Sequence, residues 1–343
     1  MKFIFRVNAK QASGAGHAMR CLTLANEAIS RGHEVIFTGI FSDFPWVIGL
    51  ISNSQVKSIP VVSDNESANV ISHLAPDWVV IDSYEISLDW YTEIASKFRT
   101  LCIVDRPTQI KVSTIYLDQN TDKWPYSSMQ NNSAYLLGGQ YLLVRDEFVL
   151  KRHPFSSDYL ESGIPKILVV TGGSDLKGAS LQFARLLSLC SIKAKITVIT
   201  REEFHNSIKE LSNTDMQFYP VVPTQDISSY YEKTDVALSL GGTTAWELAT
   251  CGIPSMVGFA ADNQIPVCEA VEKLEIGKSL GYVWSEDFVS GVNAEIVNNF
   301  VGDLEAVIRM KKSCTEQFDG QGKNRVLDFL EDYYSRVKVQ SPE

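Results

Sequence analysis

A histidine stands directly after a glycine turn near the start of the chain. His17 follows Gly14 and Gly16 in the stretch ASGAGH, which lies between a short apolar run and a segment with helical spacing. The positive end of a helix dipole favours a neutral imidazole, and a neutral imidazole can accept a proton near pH 7. The pattern therefore predicts a general base at His17, with a purely structural histidine as the alternative.

Two more glycine turns lie in the second half of the chain, each after an apolar run. They comprise Gly172, Gly173 and Ser174 in TGGSD, and Gly241, Gly242, Thr243 and Thr244 in GGTTAWE. Glycine lets the backbone approach a ligand closely, and the start of a helix offers free N–H groups to a phosphate. Each turn predicts a phosphate site, and a tight turn without a ligand is the alternative. In the second turn, either threonine could cap the helix.

Three polar residues accompany the second of these turns. Glu247 lies near the start of the predicted helix, where a carboxylate can complement the dipole or reach the hydroxyls of a ribose. Asn263 and Gln264, in ADNQ, can both donate and accept hydrogen bonds, although a polar loop would contain the same residues. Together with the turns, these side chains predict a nucleotide site in the second half.

Short apolar runs alternate with segments of helical periodicity along most of the chain. KFIFRV at 2–7, a helical segment at 18–32 and HEVIFTG at 33–39 form a strand–loop–helix–strand unit with tight links. Such units are typical of a parallel α/β sheet. The segment 121–135 is polar and lacks periodicity, so it is predicted to be a loop. The alternation restarts with KILVVTGGSD at 166–175.

The sequence therefore predicts two Rossmann-like α/β domains that face a cleft. The first spans 1–150 and carries the histidine, 151–165 is a linker, 166–322 is the nucleotide-binding domain, and 323–343 is a helix that could pack back on the first domain. Ligands of open parallel sheets bind outside the carboxyl ends of the strands, which is where all three glycine turns are expected.

Composition and charge exclude several classes of function. The chain has 343 residues and a formal net charge of −10, without the basic stripe that a nucleic-acid binder usually carries. Six cysteines without a C-x-x-C pair and five scattered histidines argue against a metal site and for reduced thiols in a cytoplasmic protein. The N-terminal apolar run is too short for a signal peptide, no stretch reaches the length of a membrane span, and nothing indicates an oligomeric state.

Several stretches occur in an order that is familiar from one enzyme family. They are FRVNAKQASGAGHAMRCLTLA, VVIDSYEIS, DQN, YLLVRDEF, VVTGGSD and SLGGTTAWELATCGIPSMVGFAADNQ. Together they resemble the UDP-sugar hydrolases of pseudaminic acid biosynthesis, which are similar to the MurG-like glycosyltransferases and share their GT-B fold. The resemblance covers roughly residues 1–285, and the first and last stretches are the most specific.

The resemblance implies a reaction and a role for each candidate residue. The family hydrolyses UDP-2,4-diacetamido-2,4,6-trideoxy-β-L-altropyranose to UDP and the free sugar, without a metal or other cofactor. By resemblance, His17 activates the water, and the sugar side is positioned by Gly14, Gly16, Tyr84 and Asn263. The nucleotide would be held by Gly172, Gly173, Ser174, Gly241, Gly242, Thr243, Thr244 and Gln264, with Glu247 towards the ribose.

The chain departs from the family at three positions on the expected sugar side. Asn8 and Lys10 stand where the family usually has Asp and Ser, and Arg106 stands where a second acid often follows Asp105. The leading hypothesis is a UDP-sugar hydrolase, and the second is a GT-B glycosyltransferase that uses a UDP-sugar donor, because one scaffold hosts both reactions. A non-catalytic nucleotide-sugar binder is the third, although a binder has no need of a base at His17.

Overall fold

The computed structural model divides the chain into two compact units. The first comprises Met1–Val144 together with Gly320–Glu343, and the second comprises Arg145–Asp319. The residues that the structure describes are 1–9, 15–41, 43–105, 112–123, 133–152, 164–172, 175, 177–224 and 226–340. Each unit is built on one parallel sheet with helices, as the alternation of apolar runs and helical segments predicts.

The first unit has a parallel sheet that, in its described part, runs in the order β3-β2-β1-β4-β5-β6-β7. The strands are β1 (Lys2–Val7), β2 (Glu34–Gly39), β3 (Lys57–Pro60), β4 (Trp78–Asp82), β5 (Arg99–Ile103), β6 (Ile115–Asp118) and β7 (Ala134–Leu137). The central strands are continuous apolar runs because helices cover both faces of a parallel sheet. The chain winds outward from β1 to β3 and then returns to the other side of β1 with β4.

Helices and one 3₁₀ turn complete the described part of the first unit. They are α1 (Gly16–Ser30), α2 (Pro45–Asn53), α3 (Asp64–Leu74), α4 (Leu88–Lys97), the 3₁₀ turn Gly139–Tyr141 and a C-terminal helix (Gly322–Gln340). Two of the helices begin at serine caps, because Ser63 accepts from the Glu66 backbone N–H and Ser87 from that of Trp90.

The C-terminal helix packs on α1 and beside the start of β4. Val326, Leu327 and Leu330 are fully buried in the core of the first unit. Arg31, just past the end of α1, donates to Asp328 at 2.6 Å, and Tyr334 donates to Asp77 at 2.5 Å. The helix is therefore an integral part of the first unit.

The second unit has a parallel sheet that, in its described part, runs in the order β10-β9-β8-β11-β12-β13. Its strands are β8 (Lys166–Val170), β9 (Ala194–Ile199), β10 (Met216–Val221), β11 (Val236–Leu240), β12 (Ser255–Phe259) and β13 (Gly277–Tyr282). The winding is the same as in the first unit, since the chain leaves β8 on one side and returns with β11 on the other.

The helical elements of the second unit connect these strands. They are α5 (Asp146–Leu150), α6 (Ala179–Ser188), α7 (His205–Lys209), α8 (Ser228–Tyr231), α9 (Thr243–Thr250), α10 (Ile265–Lys273), α11 (Gly291–Gly302) and α12 (Leu304–Gln317), with 3₁₀ turns at Glu202–Phe204 and Asp262–Gln264.

The observed boundaries differ from the predicted ones at a few elements. Helix α5 lies in the predicted first domain but groups with the second unit, because the Phe148 ring packs 4.9 Å from that of Tyr231. The last two residues of the predicted loop over 121–135 belong to strand β7, and most of the predicted linker, 153–163, lies outside the described residues.

Among the helices that the structure describes, none combines the length and apolar character that a bilayer crossing requires.

Candidate functional site

A histidine–aspartate pair lies where the winding of the first sheet reverses direction. His17 is in the first turn of α1, which follows β1, and Asp82 is the last residue of β4, opposite Val7 of β1. Nδ1 of His17 lies 2.5 Å from Oδ1 of Asp82. In open parallel sheets this reversal point, at the carboxyl ends of the strands, is the usual position of a ligand site.

Arg20, one turn after His17 on α1, also binds the Asp82 carboxylate. Its Nε donates to Oδ2 at 2.5 Å and its Nη2 donates to Oδ1 at 2.6 Å. Burial alone would raise the pKa of Asp82, but the charge of Arg20 and the neighbouring His17 outweigh it and hold that pKa well below its usual range. Asp82 is therefore an ionised, buried carboxylate.

The ionised carboxylate fixes the tautomer of His17. A carboxylate can only accept, so Nδ1 at 2.5 Å carries the proton and donates it to Asp82. Nη2 of Arg20 also lies 3.1 Å from Nδ1, and both are then donors that point at the same carboxylate. The remaining ring nitrogen, Nε2, keeps its lone pair and can accept a proton.

A second carboxylate extends this cluster at the end of the next strand. Asp105 follows β5, and its Oδ2 accepts from Nη1 of Arg20 at 3.0 Å. Its Oδ1 accepts from the Tyr84 hydroxyl at 2.6 Å. Burial and the nearby Asp105 charge raise the pKa of Tyr84, so the phenol stays neutral and its oxygen can still accept a hydrogen bond. The Tyr84 ring stands edge-on to His17, with 4.5 Å between the centroids.

Sequence reasoning found His17 and Tyr84 but missed the three charged residues that connect them. Asp82 and Asp105 each come directly after an apolar run, in WVVID and CIVD. Arg20 stands three residues after His17, the spacing that places two side chains on one helix face. Polar residues at the carboxyl ends of neighbouring strands were the available signal.

The other predicted positions of the first unit are placed as follows. Gly16 is the exposed first residue of α1, whereas Gly14, Lys10 and Arg106 lie outside the described residues. The side chain of Asn8 is held by protein groups, since Oδ1 accepts from Arg6 at 2.6 Å and from the Ile40 backbone N–H at 3.0 Å.

Two glycine turns adjoin at the corresponding reversal point of the second sheet. Strands β8 and β11 are neighbours there, with Val170 opposite Ser239. A Cβ placed on Gly172, which has a φ of +96°, would lie 3.9 Å from Oγ1 of Thr244 in the other turn. Gly173 and Ser174 lie outside the described residues.

The residue after the first turn is tied to the following helix. Asp175 is buried, and its carboxylate accepts from the backbone N–H of Ser180 at 3.2 Å and from the Ser180 hydroxyl. Its backbone is left-handed, with a φ of +39°, which is strained for a residue other than glycine. Asp175 therefore anchors the chain between β8 and α6.

The two glycines of the second turn have different surroundings. A Cβ on Gly241 would lie 2.6 Å from the Gln264 carbonyl oxygen and 3.0 Å from Sγ of Cys268, whereas one on Gly242 would meet nothing within 4 Å. Gly242 is the N-cap of α9, and within the described part of the chain no side-chain hydrogen bond caps the helix. The expected threonine cap is therefore wrong, because Thr243 and Thr244 already lie inside the helix. The start of α9 is left with uncapped N–H groups that an anion could use.

Glu247 on α9 contacts Arg145, the residue that precedes α5. It is 12% exposed, and Nη2 of Arg145 donates to its Oε1 at 3.4 Å. Burial raises the pKa of Glu247 to about 7, although the positive charge of Arg145 opposes the rise.

The two predicted amides lie in one 3₁₀ turn. Gln264 accepts from the Ala260 backbone N–H at 2.7 Å, and Asn263 is half-buried. Within the described ranges, no group of three or more acidic, histidine or cysteine side chains could hold a metal ion.

No protein-family model matches the chain, but two curated relatives do. An uncharacterized protein of Methanocaldococcus jannaschii is 25% identical over 280 residues, which cover 77% of this chain and 57% of the relative. The spore coat polysaccharide biosynthesis protein SpsG of Bacillus subtilis is 22% identical over 214 residues, 61% of each protein. The chain thus spans less than two thirds of the curated relatives it matches.

Solved structures show the same fold over almost the whole chain. Acinetobacter baumannii MurG superposes with a TM-score of 0.71 at 13% identity, covering 97% of this chain and 100% of that one. The UDP-GlcNAc 2-epimerase of Neisseria meningitidis, bound to UDP-GlcNAc, gives 0.63 at 13% identity, with coverage of 97% and 100%. The chain therefore has a GT-B fold, with two parallel-sheet α/β domains.

Proposed function

We propose that this protein is an enzyme that transfers a glycosyl group from a UDP-linked sugar to a hydroxyl acceptor, with His17 as the general base. The observation that carries the proposal is the contact of 2.5 Å between Nδ1 of His17 and the buried, ionised Asp82. That contact orients the ring and leaves Nε2 free to take a proton. A pure binder has no use for such a pair.

The proposed reaction is a direct displacement at the anomeric carbon. Nε2 of His17 takes the proton of the acceptor hydroxyl while its oxygen forms the bond to the anomeric carbon. The bond from that carbon to the UDP oxygen breaks, and its electron pair leaves with UDP. Asp82 stabilises the imidazolium that results, as a carboxylate does in other acid–base pairs. One displacement inverts the configuration of the sugar.

Each unit supplies a distinct function in this proposal. The start of α9, at Gly242, offers N–H groups and a positive dipole end to the diphosphate, with Gly172 and Gly241 in the adjoining turns and Gly173 and Ser174 next to Gly172 in the sequence. Glu247 would accept from the ribose, and Gln264 would brace the turn behind it. In the first unit Tyr84 would position the sugar, with Gly14 and Gly16 allowing a close approach, and in the second unit Asn263 lies in the 3₁₀ turn that contains Gln264. The UDP-sugar is supported by the epimerase with the same fold, which was solved with UDP-GlcNAc.

A second candidate function uses the same base on water. The stretch ASGAGHAMR around His17 resembles the UDP-sugar hydrolases, which release UDP and the free sugar. The diacetamido-trideoxy-altrose donor of that family is then the substrate to test first. Against this, the Bacillus subtilis relative is named for polysaccharide biosynthesis, which fits a transferase better.

One experiment separates the candidates. The purified protein is incubated with UDP-GlcNAc or the UDP-diacetamido-trideoxy-altrose, with and without p-nitrophenyl glycosides as acceptors, and UDP is followed by phosphorus NMR. UDP that forms only with an acceptor supports transfer, and UDP that forms without one supports hydrolysis. Tight UDP binding in a titration with no turnover in any mixture would contradict both. Parallel samples with EDTA test the expected independence from metal ions.

A further inference from the structure

Charges of both signs surround His17, and their balance determines how readily the ring accepts a proton. Among the residues that the structure describes, the charged groups in contact are Asp82 on β4, Arg20 on α1 and, through Arg20, Asp105 after β5. Two carboxylates and one guanidinium leave the cluster with one net negative charge while His17 is neutral. The cluster becomes neutral when His17 takes a proton.

Two thiols and two phenols around the cluster carry no charge at neutral pH. Burial raises the pKa of the Cys21 thiol, which donates to Asp82 at 3.7 Å, and likewise that of Tyr84. Burial also raises the pKa values of Cys102 on β5 and Tyr91 on α4. Glu85, next to Tyr84, is exposed and accepts from Asn8 at 3.3 Å.

Without Asp105, Arg20 would cancel the charge of Asp82. An imidazolium would then form 3.1 Å from a guanidinium nitrogen with no net negative charge to offset the repulsion. Asp105 prevents this because it pairs with Nη1, the guanidinium nitrogen that Asp82 does not use. Its other oxygen accepts from Tyr84, so both oxygens are held in place.

We infer that Asp105 is a positioning residue for the base: its carboxylate offsets the charge of Arg20 so that Asp82 can stabilise a protonated His17. The inference rests on the proposed role of His17, but it concerns a property of the free protein. The ring of Tyr84 belongs to the same arrangement, because its hydroxyl partly shields the charge of Asp105.

The test is a histidine NMR titration of the full chain without substrate. The His17 signal is assigned by its loss in His17→Gln. In Asp105→Asn, which keeps the shape of the side chain, the midpoint of the His17 titration should fall by about one pH unit, as expected for the loss of a nearby negative charge. Asp105→Glu, which keeps the charge, should stay close to wild type.

Two further variants make the result specific. Tyr84→Phe removes the hydrogen bond to Asp105 without removing a charge, so the midpoint of the His17 titration should rise. This variant also tests the inference if Asp105→Asn does not fold. Glu93→Gln removes one negative charge from the exposed face of α4 and should leave the midpoint unchanged. Equal midpoints in wild type and Asp105→Asn, or a fall in Tyr84→Phe, would overturn the inference.

The pH profile of kcat/KM distinguishes this inference from the proposed function. If His17 is the base, the acid limb in Asp105→Asn should move down together with the NMR midpoint, and the plateau should fall at least several-fold because the base is weaker. If the NMR midpoint moves while the profile does not, the charge balance is correct and the catalytic role of His17 is not.

Discussion

The ring of Tyr84 stands perpendicular to the imidazole of His17, with 4.5 Å between the centroids, while its hydroxyl is bound to Asp105. The phenol therefore packs on the ring that is proposed to accept a proton and also contacts the charge network behind it. Because the hydroxyl proton is engaged by Asp105, the phenol oxygen could serve a substrate only as an acceptor.

The pair His17–Asp82 should be essential for turnover and unimportant for nucleotide binding. His17→Gln and Asp82→Asn should each lower kcat by about 10²- to 10⁴-fold, because the first removes the base and the second removes the acceptor that orients it. Calorimetry should show UDP affinity within about twofold of wild type. His73→Gln, at an exposed histidine of α3 in the same unit, is the matched control. Normal turnover by His17→Gln would exclude it as the base.

UDP affinity should depend on pH through Glu247. Its pKa is raised to about 7 by burial, and a ribose hydroxyl donates to the carboxylate rather than to the acid. Affinity should therefore be full above pH 7 and weaken as the pH falls through it, by about tenfold between pH 8 and pH 6. Calorimetric titrations at both pH values check this. In Glu247→Gln the same change of pH should leave UDP affinity unchanged. If the affinity of this variant still falls tenfold, another group causes the pH dependence.

The two glycines of the turn before α9 offer a matched pair of variants. Gly241→Ala would place a Cβ 2.6 Å from the Gln264 carbonyl oxygen, so it should lower the free energy of unfolding by about 1–3 kcal/mol. Gly242→Ala has open space around the new methyl group and should leave stability nearly unchanged. If a phosphate approaches the helix start, however, Gly242→Ala should weaken UDP binding at least severalfold. Urea unfolding and calorimetry measure the two effects separately.

The C-terminal helix should contribute to the stability of the first unit. Leu330 is fully buried, and Leu330→Ala should lower the free energy of unfolding by about 2–5 kcal/mol through lost burial and a residual cavity. Arg336→Ala, on the exposed side of the same helix, should change it by less than about 0.5 kcal/mol. Equal urea midpoints for the two variants would show that the helix is not part of the cooperative unit.

Much of the fold could be predicted because the central strands are apolar on both faces. β1, β4, β8 and β11 stand out as mostly apolar runs, and each is followed by polar or glycine residues. The edge strand β3 could not be predicted in this way, since KSIP is polar and mostly exposed. For β7 the pattern was equally weak, because only Leu136 of its four residues is fully buried and the strand follows a long polar segment.

The site was harder to predict because its parts are distant in sequence. His17 could be singled out from a local pattern, a glycine turn before a helix. Asp82 lies near it because β4 pairs with β1, and Asp105 lies near Asp82 because β5 pairs with β4, an order that local periodicity does not contain. The position of Glu247 could be predicted from the turn, but its raised pKa could not, since that depends on burial in the folded unit.

The association of the C-terminal helix with the first unit has a consequence for synthesis on the ribosome. Residues 1–144 emerge before the second unit, yet the core they form is incomplete until Val326, Leu327 and Leu330 have been added. The whole of the second unit is translated in between and contains all of its own strands. We therefore expect the second unit to finish folding before the first unit does. Until the C-terminal helix is made, the first unit should expose apolar surface to which chaperones can bind.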